Sequence, residues 1–500
     1  PAVDSFWQPS LPKAFILTCS RAPRRKPIRS ISSLCTAIIL LLHFSNPNLA
    51  SATDGPTDKD QGAPNTISFN VTTSECCGGE EADPHAVHGL ETDDQAFILS
   101  GKSADSEGAR DGFVVRFTDF REEEGILWLL PEEDYSYDWV YRFGSEGRDD
   151  GVNAVAQIKD SLFVAGYRGD KKGVIHSYLA RLRLSDGAEI WSAMFPAAKR
   201  GKQSAFEFVQ STSEHGLVLS GVTNAAKGSL EGFKSYGNPA TGTAFVMYFQ
   251  ESQLMNEDPP TNPHWMTEIR GFLSGKTVKE VEGEEAYIVA SSTNDDNHTA
   301  SVIKIDKTGK KSWSKTYPAH GEITDIAPSY SNGKVDGYLM AGHVDGKTGA
   351  LDGSITKISK DGSIVWSEQY GNPISGKGIF SDLVKENDRF IFDECWGIDS
   401  TSDGGAIMAC GTGTHCDEFE DNERQFAQCA ADPREIWRSL LIKVDQQGKM
   451  VWYKTDSFIE EDDGWIPNTA SEYVFFTKDG RIASVLDLDF GFGLQILDPE

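Results

Sequence analysis

The sequence predicts an all-β protein, and more closely a seven-bladed β-propeller built from four-stranded antiparallel blades. Three observations lead to this fold class. The 500 residues include 48 glycines and 10% aromatic residues, which favours many short strands joined by tight turns over long helices. A tryptophan-bearing hairpin recurs about every 50 residues. Further short strands precede each hairpin, so that each period holds four strands.

The recurring hairpin carries its tryptophan four residues after a turn glycine. An alternating strand leads into an Asp/Ser/Gly turn, where positive φ costs little, and a second strand follows. Four copies have this spacing: Gly187 with Trp191, Gly309 with Trp313, Gly362 with Trp366, and Gly448 with Trp452. Trp139 and Trp265 repeat the second strand after longer connections. One large ring in each blade is expected to fill the wedge between neighbouring sheets, which is a structural role.

Short apolar strands lie upstream of the hairpins, and each ends in a small residue. They are Ala96–Gly101, Leu162–Gly166, Leu217–Gly221, Tyr287–Ser291, Tyr338–Gly342 and Ala406–Gly411. Their continuous apolar runs indicate burial on both faces, as between stacked sheets. Because a single unit of about 50 residues could not bury these faces, the copies must stack. Closed radial stacking of four-stranded sheets is the propeller architecture.

Six complete units and one incomplete unit are predicted. The six complete units span residues 85–144, 152–196, 206–271, 277–318, 322–372 and 394–458. The seventh has three strands within 470–497, and the alternating segment 66–72 supplies a fourth. If this N-terminal strand pairs with the last C-terminal strand, the two chain ends together complete blade seven and the ring has no open edge. The propeller then occupies residues 66–500.

A leader is predicted before the propeller. A basic stretch is followed by an uncharged run, Leu34–Phe44, and then by the small residues Ala50-Ser51-Ala52. Residues 1–52 are therefore expected to be an upstream segment with a secretory signal peptide, and 53–65 a flexible linker. The alternative is a transit sequence that directs the chain into an organelle lumen. The apolar run is too short to span a membrane, so no membrane span is expected.

Cysteine usage agrees with export, because six cysteines follow the leader and an even number suggests up to three disulfides. Cys416 and Cys429 bracket an acidic insertion and are expected to bond to each other. Cys395 and Cys410 face each other across a turn, to within about two residues of register. The adjacent Cys76 and Cys77 are expected to tie the N-terminal strand to a neighbour.

Two sequons add to the prediction of export. Asn70-Val71-Thr72 and Asn297-His298-Thr299 are glycan acceptors if the source is a eukaryote. Asn70 falls on the predicted closing strand, on the side expected to face solvent. Chance is the alternative explanation, since two such triplets are expected at random in a chain of this length.

The repeat resembles those of secreted propeller proteins with Trp-bearing blades. The pattern is an apolar strand ending in Ala/Ser-Gly, followed by Lys-Ile-Asp-x-x-Gly-x-x-x-Trp-x-x-x-Tyr, and it covers roughly residues 85–458. It is more distantly similar to the tryptophan-docking repeats of the quinoprotein-like superfamily. Some members of that superfamily have a disulfide between adjacent cysteines, and Cys76-Cys77 could form one. The turns here are one residue shorter, seven blades are counted instead of eight, and the cysteine pair precedes blade one. These departures weigh against a quinoprotein-like dehydrogenase.

Asp and Asn recur after the second strand of each blade. Asp105, Asp170, Asn224, Asn294 and Asp345 each follow the terminal Gly or Ser by three or four residues. Loops between second and third strands gather at one end of a propeller, so these oxygens could bind a cation such as calcium or a polyhydroxylated ligand. The alternative is that each side chain caps its own turn.

Enzymatic motifs are scarce. The formal charge of −29 disfavours nucleic acid as a partner. Nucleophile-elbow, phosphate-loop and His-Glu-x-x-His motifs are absent from the sequence. His85-x-x-His88 lies on a predicted strand, where this spacing sends side chains to opposite faces and makes a poor metal pair. Glu460-Glu461-Asp462-Asp463 could serve glycoside hydrolysis only if a groove separated two of its carboxylates.

The predicted function is that of a secreted binding or assembly module for an extracellular protein or glycan. No cofactor is predicted, and calcium is the one ion that the Asp/Asn series could bind. An extracellular carbohydrate-active enzyme that uses carboxylates on the long-loop face is the alternative. A quinoprotein-like dehydrogenase is the third reading. A hydrolase requires two converging carboxyl groups, one with a raised pKa, whereas a binding module requires neither.

Overall fold

The computed structural model describes residues 63–64, 66–73, 84–104, 109–118, 137–144, 147–230, 239–346, 350–371, 391–414, 436–456, 468–488 and 491–498. These residues form strands almost throughout. The helical elements among them are α1 (Glu251–Leu254) and a 3-10 turn at Pro318–His320. Within the described part of the chain, no helix is long and apolar enough to cross a membrane.

The strands form seven separate four-stranded antiparallel sheets, which confirms the predicted propeller. In blades 1 to 3 the strands are β2 (His85–Glu91), β3 (Phe97–Ala104), β4 (Arg110–Phe117), β5 (Trp139–Phe143), β6 (Asp150–Ile158), β7 (Ser161–Gly169), β8 (Ile175–Arg183), β9 (Glu189–Phe195), β10 (Gln203–Ser211), β11 (Leu217–Ala225), β12 (Thr243–Phe249) and β13 (Trp265–Ile269). Within each blade, every strand pairs with the next along the chain.

Blades 4 to 6 repeat this order. Their strands are β14 (Phe272–Val281), β15 (Ala286–Thr293), β16 (Ala300–Asp306), β17 (Lys311–Thr316), β18 (Glu322–Ser331), β19 (Lys334–Asp345), β20 (Leu351–Ser359), β21 (Ile364–Tyr370), β22 (Phe392–Ser400), β23 (Ala406–Thr414), β24 (Ile436–Val444) and β25 (Met450–Asp456). Blade 4 begins at Phe272 rather than at 277, because β14 contains two register shifts that break the alternation of a simple strand.

Blade 7 is built from both chain ends, as predicted. It contains β26 (Thr469–Phe476), β27 (Ile482–Leu488), β28 (Gly491–Leu497) and, from the N-terminal end of the chain, β1 (Thr66–Thr73). β1 pairs antiparallel with β28 from Thr66 opposite Leu497 to Thr73 opposite Gly491. The first strand of each blade contacts those of its two neighbours, and β2 contacts β26, so the inner strands close into one ring.

A β-bulge recurs in the inner strand of every blade. At each bulge one residue is skipped in the pairing with the second strand, and we call these seven residues the bulge ring: Val87, Asn153, Glu207, Lys276, Thr324, Trp396 and Glu472. Bulges re-aim side chains at the rims of closed sheets. Asn153 Nδ2 accordingly donates to the carbonyl of Phe206 in the next blade at 2.8 Å, and Thr324 Oγ1 donates to that of Cys395 at 3.0 Å.

The small residues that end the second strands are explained by this bulge. A Cβ on Gly101 would lie 1.9 Å from the carbonyl oxygen of His85, and one on Gly342 would lie 1.8 Å from that of Glu322. Gly166 and Gly221 are equally close to inner-strand carbonyls, at 2.0 and 2.1 Å. Glycine is therefore required where the inner strand approaches its neighbour most closely.

The repeated tryptophans lie against the hairpin turn of the following blade. Trp139, Trp265 and Trp366 each donate from Nε1 to a carbonyl of that turn, at 2.9, 3.0 and 3.0 Å. The turn glycine lies under the ring, since a Cβ on Gly309 would be 2.7 Å from Trp265. Trp191 and Trp452 are buried and Trp313 is half-buried. Blade 3 has α1 where blades 2, 4, 5 and 6 have a glycine turn, and the buried Nε1 of Trp191 has no hydrogen-bond partner.

One predicted disulfide lies within the described residues. Cys395 on β22 and Cys410 on β23 are direct partners in the strand register and are bonded, with their Cα atoms 4.0 Å apart. The bond joins the two innermost strands of blade 6. Cys76, Cys77, Cys416 and Cys429 lie outside the described residues, so their pairings remain predictions.

Candidate functional site: the axial channel

The site is built on the inner strands, because these are the strands that surround the axis of the ring. Charged side chains gather where the inner strands begin, and we call this group the channel mouth: His85, Lys276, Glu322, His343, Glu472 and Asp487. They come from blades 1, 4, 5 and 7. Two of them, Lys276 and Glu472, belong to the bulge ring, which turns them toward the neighbouring blades.

Glu322 is the most accessible member of the channel mouth. Its Oε1 atom accepts from Lys276 Nζ at 2.6 Å, and Oε2 lies 3.5 Å from His343 Nε2. The Glu322 side chain is 32% exposed, whereas Lys276 is completely buried. Burial would raise the pKa of Glu322, but Lys276 and His343 outweigh it and hold the pKa well below its usual range. Glu322 is therefore an ionised acceptor fixed from behind and open to the channel.

His343 is held by the same carboxylate. Burial would lower the pKa of its imidazole, but the hydrogen bond and negative charge of Glu322, together with Glu394 on the next blade, raise it. The mouth thus presents an ionised carboxylate beside a histidine that takes up a proton more readily than usual. Glu322 can accept hydrogen bonds from a polar molecule in the channel, and His343 holds this carboxylate in position.

A second part of the mouth joins blades 1 and 7. His85 Nδ1 lies 2.7 Å from Asp487 Oδ2, and His85 Nε2 lies 3.7 Å from Glu472 Oε1. The side chains of His85 and Asp487 are 19% and 24% exposed, and Glu472 is buried. One ligand atom from each of the three lies within 4.8 Å of the others, the only such group of three or more His, Cys, Asp or Glu among the described residues.

Glu207 lies behind the mouth and differs from the other carboxylates. It belongs to the bulge ring, is 2% exposed, and neither carboxylate oxygen has a hydrogen-bond partner. Burial raises the pKa of Glu207 well above its usual range, although the charges of Lys102 and Lys276 act in the opposite direction. An acid in this setting is more stable protonated than ionised.

Further along the axis, side chains from six blades close the channel, and we call them the axial plug: His88, Phe208, Lys279, Asp325, Asp399 and Tyr473. Lys279 Nζ donates to Tyr473 Oη at 3.1 Å and lies 4.3 Å from the centre of the Phe208 ring. His88 stacks on Tyr473 with ring centres 4.3 Å apart. Groups from opposite sides of the ring can meet in this way only at its axis.

Charge in the axial plug is balanced around Lys279. Burial would lower the pKa of this ammonium, but Tyr473, Asp325 and Asp399 outweigh it and raise the pKa. Burial raises the pKa of Asp399 to about 6 in spite of Lys279. Asp325 accepts backbone N–H bonds from Ile326 and Ile398, at 2.7 and 3.1 Å, and so ties blades 5 and 6 together.

The Asp and Asn residues predicted to face a ligand have different surroundings where the structure describes them. Asp170 Oδ1 accepts from the backbone of Lys172 and Val174 in its own turn, at 2.7 and 3.0 Å. Asn224 accepts from the Lys199 backbone, Asn294 donates to the carbonyl of Gly242, and Asp345 is exposed at the end of β19. Asp105 lies outside the described residues. Binding of calcium or a polyhydroxylated ligand by this series remains a prediction.

The expectation for His85 and His88 is wrong in its geometry. The bulge at Val87 inserts an extra residue between them, so both rings contact side chains of β26 rather than pointing to opposite faces. His85 approaches Glu472, and His88 stacks on Tyr473. They still form no pair with each other, since His85 lies in the channel mouth and His88 in the axial plug. The local sequence gives no signal of these contacts, because Glu472 and Tyr473 lie nearly 400 residues after the two histidines.

The remaining predicted positions are the two sequons and the acidic run Glu460-Glu461-Asp462-Asp463. Asn70 lies on β1, the outermost strand of blade 7, and Asn297 is exposed in the loop between β15 and β16. Their glycosylation remains a prediction. Glu460, Glu461, Asp462 and Asp463 lie outside the described residues.

Comparison with known proteins gives a likeness to solved structures and no family. No protein-family model matches the sequence, and no curated protein matches it. Similar solved structures include the Pan2 WD40 domain of Neurospora crassa (10% identity, 87% of this chain and 96% of that one, TM-score 0.45). A europium-containing methanol dehydrogenase is also similar, with 10% identity over 88% of this chain and 94% of that one and a TM-score of 0.44. A quinohemoprotein alcohol dehydrogenase from Comamonas testosteroni has 10% identity over 84% of this chain and 66% of that one, with a TM-score of 0.40. The predicted distant likeness to quinoprotein-type propellers is thus found, and at these values it concerns fold and not activity.

Proposed function

We propose that the protein is a secreted binding module that holds a polyhydroxylated ligand, such as the terminal sugar of a glycan, at the channel mouth. The observation that carries the proposal is Glu322, an ionised carboxylate that is fixed by the fully buried Lys276 and whose side chain is 32% exposed. A carboxylate accepts hydrogen bonds from two adjacent hydroxyl groups without having to be reorganised first.

The surroundings of Glu322 support a neutral, hydroxyl-bearing ligand. Lys276 already neutralises much of the charge of Glu322, so a ligand cation would gain less here than at an unpaired acid. His343 supports the site indirectly, because its Nε2 lies 3.5 Å from Glu322 Oε2 and so helps to fix the carboxylate that would bind the ligand. Secretion is the part of the proposal that rests on the leader, and N-terminal sequencing of the exported protein tests it.

A glycan array probed with the purified full chain tests the binding. We expect a restricted set of glycans to bind, and Glu322→Gln and His343→Gln to weaken binding of that set at least tenfold. Glu368→Gln is the matched control, because Glu368 is exposed on the outer strand of the same blade. Absence of glycan binding, or equal binding by the Glu322 and Glu368 variants, contradicts the proposal.

The second candidate is an extracellular carbohydrate-active enzyme, and one observation favours it. A glycosidase needs a carboxyl group with a raised pKa as its general acid, and Glu207 has one. Release of nitrophenol from a panel of nitrophenyl glycosides, lost in Glu207→Gln, would favour this candidate over a binding module. We expect no turnover.

A further inference from the structure

We propose that His85, Glu472 and Asp487 form a binding site for a divalent transition-metal ion of the zinc class at the seam between blades 1 and 7. The inference is independent of the glycan proposal, because it uses the opposite part of the channel mouth from Glu322 and His343.

The donor set suits such an ion. An imidazole nitrogen and two carboxylate oxygens bind Zn²⁺ at about 2.0–2.2 Å, whereas Ca²⁺ and Mg²⁺ prefer oxygen donors alone. The three donor atoms already lie within 4.8 Å of one another. Ligands of one tetrahedral ion stand roughly 3.4 Å apart at these bond lengths, so small side-chain rotations suffice to enclose it.

Access and burial are also those of a site open to small ions. His85 and Asp487 are partly exposed to the channel, which leaves a path for the ion and for water as an additional ligand. Glu472 is 5% exposed and is turned by its bulge toward His85. The backbone of His85 is fixed as well, because Gly101 packs directly against its carbonyl. A preorganised first shell of this kind lowers the cost of binding.

The contacts of His85 without metal limit the affinity. Its two carboxylate neighbours lie near different ring nitrogens, with Asp487 Oδ2 2.7 Å from Nδ1 and Glu472 Oε1 3.7 Å from Nε2, so the ring must turn before one nitrogen can share an ion with both. Lys102, the partner of His85 in the β2–β3 register, adds a positive charge on the same face of the sheet. We therefore expect micromolar rather than nanomolar affinity.

Isothermal titration of the metal-free full chain with Zn²⁺ at pH 7.5 tests the site. We expect one equivalent of Zn²⁺ to be bound. His85→Ala and Asp487→Asn should each weaken binding at least tenfold. His264→Ala is the matched control for adventitious binding, because His264 is an exposed histidine outside the channel.

Two further readouts separate coordination from a structural effect of the variants. Co²⁺, used in place of Zn²⁺, should give a visible absorption band that His85→Ala abolishes. Zn²⁺ should raise the melting temperature of the parent and of His264→Ala but not of His85→Ala, because the ion links β2 to β26 and β27. Absence of stoichiometric Zn²⁺ binding, or equal binding by His85→Ala and the parent, overturns the proposal, whatever the outcome of the glycan array.

Discussion

At the scale of single residues, the channel contains charged groups, and the effect of each on the stability of the fold depends on the others. Lys279 is the clearest case, because it is the cation of the axial plug and two acids with raised pKa values face it. Removing one partner from such a group leaves the others uncompensated, which costs more than the intact interaction contributes.

Lys279→Met is therefore expected to destabilise the protein by about 3 kcal/mol, since Asp325 and Asp399 then repel each other in a desolvated site. Urea unfolding at pH 7.5 measures the change. Asp399→Asn should restore part of the loss when added to Lys279→Met, because it removes one of the two unbalanced charges. If Lys279→Met is as stable as the parent, the charge of Lys279 does not stabilise Asp325 and Asp399 in the axial plug.

Glu207 predicts a pH dependence of stability. Its folded pKa is raised above the unfolded value of about 4.3, so its contribution is complete below that value and is lost as pH rises toward the folded pKa. Glu207→Gln does not titrate, so it should gain stability relative to the parent between pH 5 and pH 8, and the gain should grow as pH rises. Urea unfolding across this range measures it. Glu214→Gln, at an exposed acid of the same blade, should show no such trend, and a parallel pH profile for Glu207→Gln would contradict the prediction.

At the scale of elements, the link between neighbouring blades is a tryptophan lying on a glycine turn. Gly309 has φ +85°, and an added Cβ would lie 2.7 Å from Trp265. Gly283 has a similar φ of +71° but nothing within 4 Å of the added atom. The two positions therefore separate backbone strain from loss of the tryptophan contact.

Gly309→Ala should lower the free energy of unfolding by about 2–4 kcal/mol, and Gly283→Ala by about 1 kcal/mol. The difference is the contribution of the docked ring and of the hydrogen bond from Trp265 to the carbonyl of Lys307. Chemical denaturation of both variants measures it. Equal losses would mean that the tryptophan moves aside at little cost and does not couple the blades.

The disulfide gives a second prediction at this scale. Cys395 and Cys410 are 15 residues apart, so bonding them removes about 3 kcal/mol of unfolded-state entropy in the loop-closure model. The double variant Cys395→Ala/Cys410→Ala should lose a comparable amount. Peptide mapping without reduction should recover the two cysteines in one linked fragment, and free thiols at both positions would refute the pairing.

Elements were easier to predict than the site. The spacing of Trp139 to Trp452 and the small residues after the second strands repeat along the chain, so the sequence predicts both blade number and strand order. The bulges lack a periodic hydrophobic signal. The mouth joins His85 to Glu472 and Asp487, and this proximity exists only once the ring is closed. The position of a residue in the repeat therefore predicts a local turn such as that of Asp170. It does not predict which side chains meet across the axis of the ring.

At the scale of the whole molecule, stability depends on closure of the ring by β1. Deletion of Thr66–Thr73 would leave the backbone groups of β28 unpaired and blade 7 with three strands. We expect a loss of several kcal/mol and a less cooperative transition, because blade 7 also contacts blade 1 through β2 and β26. Calorimetry on the shortened and full chains tests this. A shortened chain that melts like the parent would show that β1 is dispensable.

The pairing of β1 with β28 also constrains how the chain folds during synthesis. A ribosome makes β1 first, and its partner follows more than 400 residues later. Blades 1 to 6 can each form as they emerge, since all their strands are consecutive. Through that whole interval β1 has an unpaired backbone and is open to pairing with another nascent chain. The seam where His85 meets Glu472 and Asp487 is also a late part of the molecule to assemble, because it needs β26 and β27 beside β2.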